Sequence, residues 1–529
     1  MIAPTSVSML ALRATRTLRR GFHFTTSPSR RNGCTMSAVF KVKKGILANE
    51  LGERKPRSSV SLLLIALFLI ALVLRVEVPA HFPSIEWPDE IYNTLEPAHH
   101  LAYGYGVVVW EWREGVRSWV FPTLLAAVMR ATDWMGPGSV GYLRAITVIL
   151  SLLSLTTVWF AYHWGRRTCG ESAGFIAAGA CAIWYQMVYF APKAFTEVVA
   201  GNILLPGLYL GMYGEELPEK KRLFLAGLFC GLAVSLRMQL TPAVAFATYY
   251  FCRTNWRRRT APVLAGLLLP VVAFGLVDAI TWSYPFQSFL RYFWVVVVEG
   301  RGSTFGTEPW YWYLLLLARS FGPLLLLALV GVRRSPFLGW VALIIVASHS
   351  VFAHKEPRFI YPVIPIIVTL AALGFVELAA ALSTRRKLAL SPKVTVVAGL
   401  VFFALTSGFL AWRFPRWRHN SGGLIAMDRL SQDSSVCGVG LPSPLLLHSG
   451  GYTHLHRNVP IILINPNIAL EEQVPGFNAF LTFGRFNDQK FGFEPVGCWN
   501  GICLYRRAGS CSASSQYNEV NKVLQESGN

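Results

Sequence analysis

Eleven apolar runs separated by short basic clusters constrain this chain more than any other feature. They lie at about 59–76, 140–163, 173–190, 199–213, 223–236, 240–252, 261–282, 311–331, 337–353, 359–382 and 394–412. A helix crosses a hydrocarbon core of roughly 30 Å with about 20 residues, so the shorter runs are expected to tilt, or to break near Gly and Pro. A further amphipathic run at about 119–134 is expected to lie along the interface. Charged residues make up 15% of the chain, against about 25% in soluble domains. The expected fold is therefore an all-α polytopic membrane protein with about 11 transmembrane helices.

The basic clusters test that threading independently. They are Lys55/Arg57, Arg166-Arg167, Lys220-Lys221-Arg222, Arg257-Arg258-Arg259, Arg333-Arg334 and Arg385-Arg386-Lys387. Eleven spans with a cytoplasmic N-terminus put every one of them on the cytoplasmic side, as the positive-inside rule requires. The same threading puts Asp89/Glu90, the loop at 283–310, His354–Arg358 and everything after about 413 on the opposite face. The net charge of +21 is thus spent on topology. No basic stripe with interleaved aromatics points to nucleic acid.

Three regions are expected. Residues 1–57 read as a basic, disordered tail, 58–413 as the transmembrane catalytic domain, and 414–529 as an exoplasmic cap. In the cap, short apolar runs at Val436–Leu441, Val459–Ile464, Ala479–Phe483 and Gly501–Tyr505 predict strands of a small α/β unit. Cys437, Cys498, Cys503 and Cys511 fall there, and spacing does not fix how they would pair.

Chemistry concentrates at two places. The segment Ile85-Glu86-Trp87-Pro88-Asp89-Glu90 sets adjacent carboxylates just past the first span, where ionisable groups are costly and mark sites. Asp89 and Glu90 are the candidate catalytic acids; Pro88-Asp89-Glu90 also reads as a helix start, so one carboxylate caps while the other reacts. Further along the same loop, Trp110, Trp112, Arg117 and His100 are candidate substrate contacts, Trp suiting the apolar face of a sugar ring. Adjacent histidines at 99 and 100 alone do not make a metal site. The second place is His354-Lys355-Glu356-Pro357-Arg358-Phe359, in a short loop that holds its cations where a lipid phosphate would lie. Arg237, at the tip of the 223–252 hairpin, is expected on the same face.

These motifs resemble the GPI and dolichol-linked mannosyltransferases (glycosyltransferase family 22). The first-loop PDE followed by EPAHHLAYGYGVVVWEWREGVRSWVFP is most similar to the branch that adds the third GPI mannose, and HKEPRFIYP matches the HKE-x-RF signature at His354, Lys355, Glu356, Arg358 and Phe359. The resemblance implies a GT-C fold in the endoplasmic reticulum membrane and inverting transfer of mannose from a polyprenyl (dolichyl) phosphate mannose to a glycolipid glycan. It casts Asp89 as the base and His354, Lys355, Arg358 and Arg237 around the departing phosphate, with no metal or other cofactor. No Asn-x-Ser/Thr sequon occurs, so a bacterial inner-membrane transferase of another sugar stands beside this expectation. A glycolipid transporter is a further alternative, though the two halves show no repeat.

Overall fold

The computed structural model describes residues 58–386, 391–486, 489–512 and 517–526. The expected tail at 1–57 and Lys387 lie outside them. Among the described residues seventeen α-helices precede the cap: α1 (Ser58–His81), α2 (Glu96–Tyr103), α3 (Trp110–Arg113), α4 (Val120–Ala131), α5 (Tyr142–Cys169), α6 (Glu171–Ile183), α7 (Tyr185–Phe190), α8 (Thr196–Met212), α9 (Glu219–Leu236), α10 (Thr241–Cys252), α11 (Trp256–Thr281), α12 (Gln287–Phe293), α13 (Trp312–Phe321), α14 (Leu324–Val332), α15 (Pro336–Ser350), α16 (Ile364–Arg386) and α17 (Pro392–Trp412).

Every apolar run becomes helix, but two runs break. The run at 173–190 splits at Trp184 into α6 and α7. The run at 311–331 splits at Gly322-Pro323 into α13 and α14, which meet at 108°. Gly322 sits at φ +53°, open to glycine at little cost, and Pro323 cannot continue the first helix. Among the described residues, five helices are long and apolar enough to cross a bilayer, and six if the bent pair counts as one span. The expected figure was about eleven. Much of the difference is length, since α6, α10 and α15 have only 13, 12 and 15 residues.

Small residues let the helices approach closely. A Cβ at Gly227 of α9 would lie 2.1 Å from the Val263 carbonyl oxygen of α11, and one at Gly266 would lie 2.0 Å from that of Phe224. Gly331 of α14 and Gly374 of α16 are locked against each other in the same way. In a bilayer, where tails compete equally for apolar surface, such backbone contact and its dispersion hold helices together.

The cap adds α18 (Ser421–Ser431), α19 (Ser443–Leu446), α20 (Gly451–Leu455), α21 (Leu470–Gln473) and α22 (Val520–Glu526) around one sheet. Its strands are β1 (Val439–Pro442), β2 (Ile461–Ile464), β3 (Ala479–Phe483), β4 (Glu494–Trp499) and β5 (Ile502–Arg506), in the order β2-β1-β3-β5-β4. β2, β1 and β3 run parallel; β3, β5 and β4 run antiparallel. β4 was not expected: it is a largely exposed edge strand with a bulge at Pro495/Gly497, so it lacks the apolar alternation that marks a buried strand. The cysteines pair as Cys437–Cys511 and Cys498–Cys503.

The apolar core does not stop at residue 413. Ile91, Leu95 and Val107 of the first loop, Leu125 and Met129 of α4, and Leu424, Leu441 and Leu463 of the cap form one cluster. The α4 face that was expected to lie along the interface is thus partly spent on this core.

Candidate active site

After α1 the chain turns back over the helix bundle and is pinned there. Ile85 N–H donates to the His419 carbonyl (2.9 Å), and Glu86 pairs with Arg416 (3.1 Å). Pro88 then starts a helix whose first turns, Ile91–Leu95, are π-helical and continue into α2. Asp89 and Glu90 are adjacent on that start, so they point about 100° apart. Their fates differ accordingly. Glu90 pairs with buried Lys193 (3.0 Å) and accepts the Ala194 N–H (3.3 Å), an anchor for the loop rather than a cavity group. Asp89 faces a cavity of about 970 Å³ with 27% of its side chain exposed.

Arg358 is the hub of that cavity. Its Nη2 donates to Asp89 Oδ2 (2.6 Å), its Nη1 to Glu197 Oε1 (2.7 Å) and its Nε to Glu356 Oε2 (2.5 Å). Each of the three guanidinium nitrogens therefore gives one charge-assisted bond to a carboxylate, three of the five N–H donors in all. Glu197 Oε2 also lies 3.9 Å from Arg237 Nη1, and Phe359 is flanked by the guanidinium groups of Arg237 (4.7 Å) and Arg358 (4.8 Å). The first-loop acid and the HKEPRF loop thus meet directly, on one face, as the charge threading required.

His354 donates from both ring nitrogens, Nδ1 to the Gly306 carbonyl and Nε2 to Glu356, each at 3.0 Å. Two acceptors require the doubly protonated ring, and the hydrogen bond to Glu356 raises its pKa from the ordinary value. Burial pushes Glu356 up, but Arg358 and His354 outweigh it and hold the carboxyl below its ordinary range. On the other side of Asp89, Asn93 donates to both Asp89 Oδ1 (2.5 Å) and Glu111 Oε1 (3.1 Å). Burial raises the Glu111 pKa, partly offset by Arg117 at 3.8 Å.

Trp110, Trp112, Arg117, Arg237 and His354 all line this cavity. The Nε atoms of Arg237 and Arg117 and the indole N–H of Trp112 have no hydrogen-bond partner among the described residues. Lys355 is elsewhere: its ammonium is buried against the carbonyls of Glu308 (2.9 Å) and Phe352, where it staples the loop. His100 lines a second, separate cavity. Glu197 and Asn93 had not been singled out. Glu197 left a signal, being the sole carboxylate between Glu171 and Glu215 in a long apolar stretch. Asn93 left none.

The pattern of the Alg9-like mannosyltransferase family matches residues 66–432. The chain belongs to this family. As an Alg9-like mannosyltransferase it is similar to GPI mannosyltransferase 3 of Yarrowia lipolytica, 30% identical over 391 residues, which cover 71% of this chain and 72% of that one. GPI alpha-1,2-mannosyltransferase 3 of Xenopus laevis is 24% identical over 309 residues, covering 55% and 56%. Among solved structures, ArnT from Cupriavidus metallidurans bound to undecaprenyl phosphate superposes with a TM-score of 0.56 at 13% identity, over 86% of this chain and 99% of that one. At that identity the likeness shows the fold alone, the GT-C fold.

Proposed function

We propose that this Alg9-like mannosyltransferase moves mannose from a polyprenyl (dolichyl) phosphate mannose to a hydroxyl of a GPI precursor, forming an α-1,2 linkage, in the endoplasmic reticulum membrane. Asp89 takes the proton of the accepting hydroxyl as its oxygen bonds to the anomeric carbon. The bond from that carbon to the phosphate oxygen breaks on the opposite face, so configuration inverts. Arg237, with an unpartnered Nε, receives the charge that develops on the leaving phosphate, while His354, held by Gly306 and Glu356, lines the same cavity and adds to its positive field. Arg358 gives one N–H from each nitrogen to Asp89, Glu197 and Glu356 and so fixes them, and its two remaining N–H groups can assist at the phosphate.

One observation carries this reading: the Asp89–Arg358 pair joins the acid and the cations across a single cavity. Its opposite wall is apolar, including Phe274, Phe289 and Val295, and suits a prenyl chain. Two disulfides in the cap fit a lumenal, oxidising side. The test is lipid-linked glycan profiling after gene loss, with rescue by the wild type and by Asp89→Asn. The deletion should accumulate a GPI precursor ending in the unmodified acceptor, and loss of a positioned base should slow transfer by about 10²–10⁴-fold. Normal rescue by Asp89→Asn refutes the base assignment. Accumulation of a different lipid-linked glycan refutes the acceptor.

A further inference from the structure

A second cavity, of about 690 Å³, lies between the first loop and the cap. Its lining comes only from residues 100–113, 452–460 and 519–525, and none from α5–α17. With no wall from the long apolar helices, the cavity suits a polar group better than a lipid tail. The walls offer an imidazole and a guanidinium (His100, Arg113), amides (Asn458, Gln525), a carboxylate (Glu519) and the Tyr105/Tyr452 ring pair. The lining mixes donors, acceptors and two aromatic rings, with Arg113 and Glu519 contributing one charge of each sign. That lining suits a hydroxyl-rich sugar better than a simple anion. The volume falls within the roughly 300–1,000 Å³ of small-molecule sites.

The two cavities share a thin wall. Val109 lines the catalytic cavity and Val108 the second one; Leu524 lines the first and Gln525 the second. Asn521 of α22 fixes that wall, its Oδ1 accepting the Val108 N–H (3.0 Å) and its Nδ2 donating to the Gly106 carbonyl (2.9 Å). His100 Nδ1, beside the second cavity, has no partner among the described residues.

We infer that this cavity is a remote subsite for the acceptor glycan, holding a sugar one or more units away from the accepting hydroxyl while that hydroxyl sits at Asp89. The inference rests on the transferase reading above. It explains how such an enzyme would distinguish a whole glycolipid headgroup from a bare terminal mannoside, since binding energy far from the reacting bond would come from this subsite.

Asn458, exposed at the rim and remote from Asp89, permits a test. Transfer from dolichyl phosphate mannose is measured with two acceptors: the glycolipid purified from cells lacking the gene, and octyl α-mannoside. Asn458→Trp, which narrows the cavity mouth, should raise KM for the glycolipid about tenfold, a loss of about 1.4 kcal/mol. It should leave kcat, the donor KM and the KM for octyl α-mannoside unchanged. Gln525→Ala should act in the same direction, more weakly. Equal KM changes for both acceptors, or none for the glycolipid, overturn the subsite. A second arm needs no turnover: in Asn458→Cys, alkylation by a sulfonated maleimide should be slowed by the purified glycolipid and not by octyl α-mannoside. Absence of that protection overturns the subsite too. A wild type that transfers no mannose, but whose Asn458→Cys variant is still protected, sinks the proposed donor and leaves the glycan subsite standing.

Discussion

Glu197→Gln probes the carboxylate–guanidinium cluster most directly. Glu197 is 1% exposed, accepts from Arg358 at 2.7 Å and lies 3.9 Å from Arg237. Glutamine keeps the volume and one carbonyl acceptor, so no cavity opens. The Arg358 contact falls from a charge-assisted bond of about 1.5–3 kcal/mol to a bond with a neutral acceptor, a loss of about 1 kcal/mol. Both guanidinium groups also lose a Coulomb attraction of up to about 4 kcal/mol at 4 Å and an effective dielectric of 20, Arg358 more than Arg237, offset in part because a buried charge and its repulsion from Asp89 disappear. Arg237 recovers part of this by turning into the solvated cavity, which leaves a net penalty of about 3 kcal/mol, or about 100-fold in rate. If Arg237 is held ready for phosphate by Glu197, the penalty falls on kcat/KM for the donor. The assay is initial-rate transfer in detergent with the donor titrated, alongside thermal denaturation of the same preparations. Donor kcat/KM within about threefold of wild type, at unchanged Tm, would refute the reasoning. A loss tracking Tm alone would reduce Glu197 to a structural anchor.

Four further outcomes follow. Lys355→Met should lower thermal stability by about 1–3 kcal/mol through its lost bonds to the Glu308 and Phe352 carbonyls, with donor KM unchanged in steady-state assays. Burial raises the Glu96 pKa from 4.5 to about 7, against donors from Thr453 and Val107. The folded state therefore holds more protons than the unfolded chain between those values. The Glu96 contribution to stability should fall by roughly 3 kcal/mol as pH rises through that window and level off above it, while His99, lowered by burial to about 3, contributes with the opposite sign. The stability of the wild type relative to Glu96→Gln should therefore fall by that amount in melting curves recorded from pH 4.5 to 8. Cys437→Ser, opening a link across 74 residues, should destabilise the cap by about 2–4 kcal/mol. In sealed microsomes the intact cap should resist added protease until detergent is supplied, and cleavage without detergent would reverse the topology.

Sequence carried the architecture because topology in a membrane is written in composition. Apolar length marks helices and basic clusters mark sides, and both survive without knowledge of any tertiary contact. The pairing of the PDE and HKEPRF segments onto one face followed from that alone. Side-chain assignments within the segments were harder. Asp89 and Glu90 are equivalent in the sequence; only the presence of Lys193 on one side and Arg358 on the other separates them. Lys355 and Arg358 look alike as cations, yet a flexible ammonium finds three loop carbonyls while the planar fork finds three carboxylates. Glu197 was legible in principle as an isolated acid among apolar residues. β4 was not, because an exposed edge strand carries no burial pattern.

The cap bears on how substrates reach Asp89. A lid must separate from the surface it covers, and this one shares a core with the first loop. Buried Glu96 accepts from both Thr453 N–H and its hydroxyl, His99 Nε2 meets His456 Nδ1 at 2.9 Å, and the Tyr92 and Tyr142 hydroxyls donate to the Leu446 and Thr453 carbonyls. Lifting the cap would break these bonds together and expose the apolar side chains beneath them, a cost of several kcal/mol at each turnover. The opposite wall is tied through fewer side chains: Arg291 and Arg301 pair with Glu114 (3.5 and 2.6 Å) and Ser288 donates to Asp278, while its apolar side chains stay outside these contacts. Phe289, Val297 and Phe305 line the cavity there while remaining largely exposed, and Leu290, Phe293 and Trp294 on the same segment are exposed as well. Apolar surface of that kind on a membrane protein faces lipid. A donor with a prenyl tail would then enter sideways through the 286–305 segment with the cap fixed in place, and the acceptor glycan would be threaded along the cap from the opposite end.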